Sequence, residues 1–397
     1  MIKVTVTRTI EIPDTVKLER YRRSPELGPK ILFFSGGSAL KKLSQQLIRY
    51  THNSIHLITP FDSGGSSATL RQAFEMIAVG DLRNRLMALA DQSVRGAPEI
   101  YELFGTRFSQ DPNEILIKEL HSLVDGSHYL VKNISNPMRK IIRYNLQFFA
   151  QKMTKNFPLQ GANIGNLILV GGYLNYNRNI DSVIFLFSKL VEVRGVVRPI
   201  IGGNYHLATE LENGQFFVGQ HLITGKETPE ITSPIKRIYL TKSLDSKKEV
   251  QPTIHEKIKN TIKKAELICY PMGSFYSSLI AHFIPQHTAT AIAQNSCPKI
   301  LILNYGKDPE QLGMTPSSTV KMLLSYLQRD FSKEVPTHKL LNFVLLDSSS
   351  HQSPDIKKHI QIIQEMGLQV IDISLISESS KPLLDANKLI DILLSFI

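Results

Sequence analysis

The chain has 397 residues, 42% hydrophobic and 20% charged, with a formal net charge of +11. That composition is ordinary for a folded protein with a real core, as one large α/β domain or two smaller ones, and it excludes a low-complexity chain. Two cysteines, Cys269 and Cys297, are too few for a zinc cluster of their own and are assigned no chemistry. The N-terminal stretch lacks an apolar signal core, and no apolar run reaches the ~18 residues of a membrane span, which predicts a cytoplasmic protein without a span. The positive charge favours anionic partners. Basic residues are dispersed, however, with knots only at residues 20–23, 139–140 and 263–264 and no arginine-aromatic ladder. This reads as a solvated basic surface rather than a nucleic-acid interface.

Residues 31–34 form a short apolar run that ends in Ser35-Gly36-Gly37-Ser38, and Leu40, Leu43, Leu47 and Ile48 follow at helical spacing. Residues 55–58 then read as a second strand running into Asp62-Ser63-Gly64-Gly65-Ser66-Ser67. Strand, glycine loop, helix and strand make a βαβ unit with parallel strands, and both loops fall at the carboxyl ends where such sheets bind ligands. Residues 88–159 read as mainly helical. A further helix is expected after Gly165-Asn166-Leu167, and the pattern turns to β from Val196, with a hairpin at Asn213-Gly214. The α/β rhythm resumes with strands at 235–240, 267–270, 300–303, 341–346 and 370–373. Helices are expected at 254–264, from Phe275, within 316–339, at 355–365 and at 389–396.

Paired glycines let backbone N–H groups face one point, and Ser66 and Ser67 add hydroxyl donors, which suits a phosphate. Asp62 and, after a short helix, Asp81 in Gly80-Asp81-Leu82-Arg83-Asn84 are placed to hold magnesium or a ribose hydroxyl. Gly36, Gly37 and Ser38 are candidates for a phosphate at a helix N-terminus, and Gly273 and Ser274 repeat that arrangement. Each loop taken alone fits an ordinary capped turn equally well. No Gly-x-Ser-x-Gly elbow and no His-Glu-x-x-His pair is present. His206 and His221 flank the hairpin, within reach of the same site.

Taken in chain order from about residue 31 to the C-terminus, these pieces resemble the CofD/YvcK family. It comprises 2-phospho-L-lactate transferases of deazaflavin cofactor biosynthesis and the bacterial gluconeogenesis-factor proteins. The family's first glycine-rich loop corresponds to residues 35–39, and its Asp-Asp-Gly-Gly-Ser-Ser loop to residues 62–67. Its Gly-Asp-x-Arg-Asn segment corresponds to residues 80–84 and its Gly-Asn-Leu to residues 165–167. The hairpin with Leu207, Asn213, Gly214 and Gly219, the run 273–278, and Asn304 with Gly313 and Thr315 complete the match. The chain departs from the pattern at Ser35, Ala39 and Ala162, and at Ser63, which stands where the family has its second acid.

The resemblance implies a Rossmann-like α/β fold with a mainly parallel sheet, a helical insertion at about 92–160 and a β-hairpin excursion. Residues 1–30 are expected to form an N-terminal extension to a domain spanning 31–397. The resemblance further implies a nucleotide-diphosphate-type ligand and transfer of a phosphorylated group with magnesium. Asp62 would be the catalytic residue and metal ligand. Gly36, Gly37, Ser38, Gly64, Gly65, Ser66, Ser67, Asp81, Asn84, Gly273, Ser274 and Asn304 would contact the ligand. The alternative is a non-catalytic UDP-sugar-binding regulator of the gluconeogenesis-factor type that signals through a protein partner. A homo-oligomer is left open.

Overall fold

The computed structural model describes residues 9–91, 97–349 and 355–397. Ten strands are present among the described residues: β1 (Ile31–Ser35), β2 (Ile55–Ile58), β3 (Val196–Pro199), β4 (His206–Leu211), β5 (Phe216–Val218), β6 (Ile235–Thr241), β7 (Leu267–Tyr270), β8 (Lys299–Ile302), β9 (Phe343–Leu346) and β10 (Gln369–Asp372). Seven make one sheet in the order β10-β9-β8-β7-β1-β2-β3, and every pairing in it is parallel. This is the expected Rossmann-like α/β architecture.

Its central strands are apolar on both faces because both faces are covered. Leu32 and Phe34 of β1 enter one core together with Ile268 and Tyr270 of β7. Ile31, Phe33, Leu267 and Cys269, at the alternate positions, enter the opposite core. The period of two in the sequence thus becomes two hydrophobic layers. Cys269 is buried and burial raises its thiol, so it acts as a small apolar residue.

From β1 the chain builds outward through β2 to β3, and it later returns beside β1 as β7 and builds the other way. The carboxyl ends of β1 and β7 therefore flank the point where strand order reverses, the position at which open α/β sheets form a ligand crevice. The expected hairpin is β4–β5, turning at Asn213-Gly214, and β6 adds to β4 to complete a small antiparallel sheet.

The helices Pro98–Gly105, Asn113–Asp125, Tyr129–Lys132 and Met138–Lys152 pack with Ile164–Asn175 around a core of their own. Residues 92–96, the expected start of this insertion, lie outside the described residues, as do residues 1–8 of the N-terminal extension. Within that extension the helix Thr15–Arg23 lies against the C-terminal helix Ala386–Ser395, with the Asp14 N–H donating to Ser395 Oγ at 2.8 Å.

Two local expectations are corrected. Gly165-Asn166-Leu167 lies inside the helix Ile164–Asn175 rather than before it, because Asn163 caps that helix by accepting from the Asn166 N–H. The expected turn to β at Val196 holds: Val196 opens an edge strand of the large sheet, paired with β2. The segment after Ser274 forms a π-turn, Phe275–Leu279, and then a 3₁₀ turn, Ile280–Phe283, instead of an α-helix. Among the described residues no helix is long and apolar enough to cross a membrane.

Candidate functional site

A cavity of about 430 Å³ opens at the carboxyl ends of β1 and β7. Gly36, Gly37, Ser38, Asp62, Gly64, Asp81, Asn84, Gly273 and Ser274 line it, as do Arg107, His221, Lys226, Glu227 and Met272. Segments from six parts of the sequence thus converge on one space.

The loop after β1 is held from behind. Arg85, buried in the helix Gly80–Ala88, donates from Nη2 to the carbonyls of Gly36 and Gly37, both at 3.2 Å, and from Nη1 to Ser44 Oγ. Because the carbonyls are drawn back, the N–H groups of this loop are left over. Among the described residues those of Gly36, Gly37 and Ser38 have no hydrogen-bond acceptor. Gly36 tolerates no side chain, since a Cβ there would run into the Ser278 hydroxyl.

The loop after β2 is held similarly by Arg71, which is buried and donates to the carbonyls of Phe61 and Asp62 at 3.0 and 3.1 Å. Asp62 Oδ1 accepts from the Gly64 N–H at 3.1 Å. The Gly65 N–H, at the start of the helix Gly65–Phe74, donates to Glu227 Oε2 at 3.2 Å. Of the other residues expected to bind there, Gly65, Ser66 and Ser67 do not line the cavity. Ser66 Oγ accepts from Asn166 Nδ2 at 3.4 Å, and Ser67 is buried beneath Gly80. Arg83, also buried, donates to Asn84 Oδ1 at 2.6 Å and so fixes the amide at the cavity wall.

The loop after β7 is closed. The Gly273 N–H donates to Asn304 Oδ1 at 2.8 Å, and Asn304 Nδ2 donates back to the Gly273 carbonyl at 2.7 Å. Asn304 therefore lies behind the loop and outside the cavity, where it shapes Gly273 instead of lining the space. The Ser274 N–H has no acceptor among the described residues, but the three that follow are taken: Phe275 by Asp308 Oδ2, and Tyr276 and Ser277 by Glu310 Oε2, each at 2.8 Å. Burial and the Asp308 carboxylate push Glu310 up to about 8.

Asp81 faces Asp62 across the cavity floor. Removal from water, and then repulsion by Asp62, push its carboxyl up to about 7, opposed by Arg85, Lys226 and Arg83. His206, by contrast, lies outside the cavity and is lowered to about 4 by burial and by Arg71. Sequence reasoning found the glycines and acids of this site. It missed Arg107, Lys226 and Glu227, which look like ordinary loop charges, and the three buried arginines, of which Arg83 and Arg85 flank Asn84.

A loop with unpaired N–H groups and an acid pair at the switch point of a parallel sheet mark a Rossmann-like α/β protein with a candidate ligand crevice. Residues 31–381 match the family described as 2-phospho-L-lactate transferase CofD, and the chain belongs to that family. A putative gluconeogenesis factor from Thermoanaerobacterium thermosulfurigenes is 23% identical over 347 residues, covering 87% of this chain and 89% of its own. The gluconeogenesis factor of Bacillus subtilis is 26% identical over 351 residues, covering 86% and 90%. A solved UPF0052-family protein from Bacillus halodurans superposes with a TM-score of 0.66 at 21% identity, covering 92% of this chain and 99% of that one, and shares the fold.

Proposed function

We propose that this chain binds a nucleotide-diphosphate-type ligand in the β1/β7 crevice and transfers a phosphorylated group from it, in the manner of a 2-phospho-L-lactate transferase. The observation that carries this reading is the set of unpaired N–H groups at Gly36, Gly37 and Ser38, opposite Asp62 and Asp81. Free N–H groups facing a cavity accept phosphate oxygens. The remainder of the nucleotide lies along Met272, Gly273 and Ser274, and the acceptor enters beside Asn84 and Arg107.

Phosphoryl transfer asks for positioning and charge neutralisation more than for a protein nucleophile. Asp62 is the base for an acceptor hydroxyl, and Arg107 and Lys226 offset the charge of the phosphates. Magnesium fits the residues present: Asp62 and Asp81 both line the cavity, and a bound cation would relieve the repulsion by Asp62 that, after burial, raises Asp81. Among the described residues no group of three or more ligating side chains converges. Asp62 and Asp81 would hold the ion, with phosphate oxygens and water completing its shell. The ion would supply charge neutralisation at the transferred group.

A second reading is a nucleotide-sugar sensor without turnover that acts through a protein partner. The relatives' names favour it, and so does Ser63, a neutral residue turned onto His221 where a second acid would strengthen a metal site. Calorimetry with GDP, GTP, UDP-sugars and phospho-carboxylates, each with and without magnesium, tests both. The transferase reading expects magnesium-dependent guanine-nucleotide binding and an Asp62→Asn variant that keeps affinity and loses turnover. A UDP-sugar held tightly without turnover establishes the sensor. Binding of none of these ligands overturns both.

A further inference from the structure

His221 on the cavity wall is paired with Ser63 behind it, and the transferase reading gives this pair no task. Ser63 Oγ lies 2.8 Å from His221 Nδ1 and also accepts from the His221 backbone N–H at 3.3 Å. Ser63 is buried, and its hydroxyl has no other acceptor among the described residues. A serine hydroxyl carries a single proton. With one lone pair engaged by the backbone N–H, that proton is satisfied only by donation to Nδ1. The neutral ring then carries its own proton on Nε2. Gly219 leaves room for this arrangement: its φ is +128°, and a Cβ there would stand 3.0 Å from the ring's Cε1 and 3.3 Å from Ser63 Oγ. Two further hydroxyls, Thr224 and Thr228, both donate to the His221 carbonyl at 3.2 Å and fix its backbone. The Nε2 atom has no protein partner among the described residues, and His221 lines the cavity.

We infer that Ser63 is a positioning residue that locks His221 as an Nε2–H hydrogen-bond donor to an anionic group of the ligand, which excludes this imidazole as the general base. The inference rests on the anion-binding reading above. It also gives Ser63 a role in its own right: an aspartate at position 63 would accept from Nδ1–H, move the proton across the ring and leave Nε2 as an acceptor. One substitution thus separates a donor histidine from a basic one.

The test has two arms. Long-range nitrogen–proton correlation spectra of histidine-labelled protein, with His221→Gln supplying the assignment, read the tautomer directly. The expected result is Nε2–H in the wild type, a mixture in Ser63→Ala and Nδ1–H in Ser63→Asp. A wild-type ring protonated on Nδ1, or a ring unchanged in Ser63→Ala, overturns the lock. In the second arm pyrophosphate with magnesium is titrated calorimetrically. His221→Ala should weaken it roughly tenfold, as for a lost hydrogen bond to a charged group. His221→Gln, whose amide nitrogen stands where Nε2 stood, should restore most of that loss. Equal affinity in wild type and His221→Ala overturns the donor role. If the wild type binds no pyrophosphate, the anion-binding reading and the donor role fall together, and the spectra still decide the lock.

Discussion

The loops after β1 and β7 share a Gly-Ser pair, Gly37-Ser38 and Gly273-Ser274, and differ in hydrogen bonding. Each follows a buried apolar strand, carries glycine and serine, and turns into a helical segment at the switch point of the sheet. After β1, a buried arginine takes the carbonyls, and the N–H groups of Gly36, Gly37 and Ser38 have no acceptor among the described residues. After β7, Asn304 takes the Gly273 N–H and Asp308 and Glu310 take those of Phe275, Tyr276 and Ser277, so only Ser274 keeps a free N–H there. A glycine-serine turn is therefore left open or tied down according to the side chains that a distant segment places behind it. A cation draws on its carbonyls, while an amide and carboxylates take its N–H groups.

Breaking the closed loop should have the largest effect. Glu310→Ala leaves two backbone N–H groups and the Ser277 hydroxyl buried without their acceptor, and should cost about 3 kcal/mol of unfolding free energy in urea titrations. Breaking the open loop comes next. Arg85→Met frees the Gly36 and Gly37 carbonyls, and should cost about 2 kcal/mol and weaken pyrophosphate binding roughly tenfold.

The acid pair gives a pH-dependent effect that is smaller per pH unit. Asp81 is pushed up to about 7, so the folded state binds its proton more tightly than the unfolded chain does. Its contribution to stability is complete below about pH 4 and is lost as pH rises to about 7, at roughly 1 kcal/mol per pH unit across that window. Thermal melts across that range should show the loss in wild type and a flatter profile in Asp81→Asn. Magnesium should flatten it as well. The smallest effect is expected at the loop after β2. Glu227→Gln removes a carboxylate from the Gly65 N–H and should raise pyrophosphate affinity about threefold, read by calorimetry.

The sheet was legible because apolar runs ended in glycine and alternated with helical spacing. The expected strands at 55–58 and 267–270 coincide with β2 and β7, and the run 31–34 falls short of β1 by one residue. The glycine-acid half of the cavity was legible because its glycine loops follow strands, while Asp81 and Asn84 follow a helix and were legible through the Gly-Asp-x-Arg-Asn resemblance. The functional meaning of Ser63 was not, because its partner His221 is 158 residues away and no local pattern joins them. Asn304 was singled out, yet its task of bonding both polar groups of Gly273 is visible only once β7 and β8 pair. The charges at Arg107, Lys226 and Glu227 carry no periodic signal, since loop residues are placed by the elements they join rather than by their own spacing.

Glu227 gives the site a threshold. Its carboxylate stands at the Gly65 N–H, within 2.5 Å of where a side chain on Gly64 would begin, so part of the anion space is already held by a rival tethered to the same chain. A tethered rival acts at an effective concentration on the order of millimolar, however dilute the protein. A singly charged visitor offers that position little that Glu227 does not already provide. A terminal phosphate, with about two charges and three acceptor oxygens, offers more. On the anion-binding reading proposed above, the crevice is expected to favour phosphate ends over carboxylate ends before any base or sugar is read.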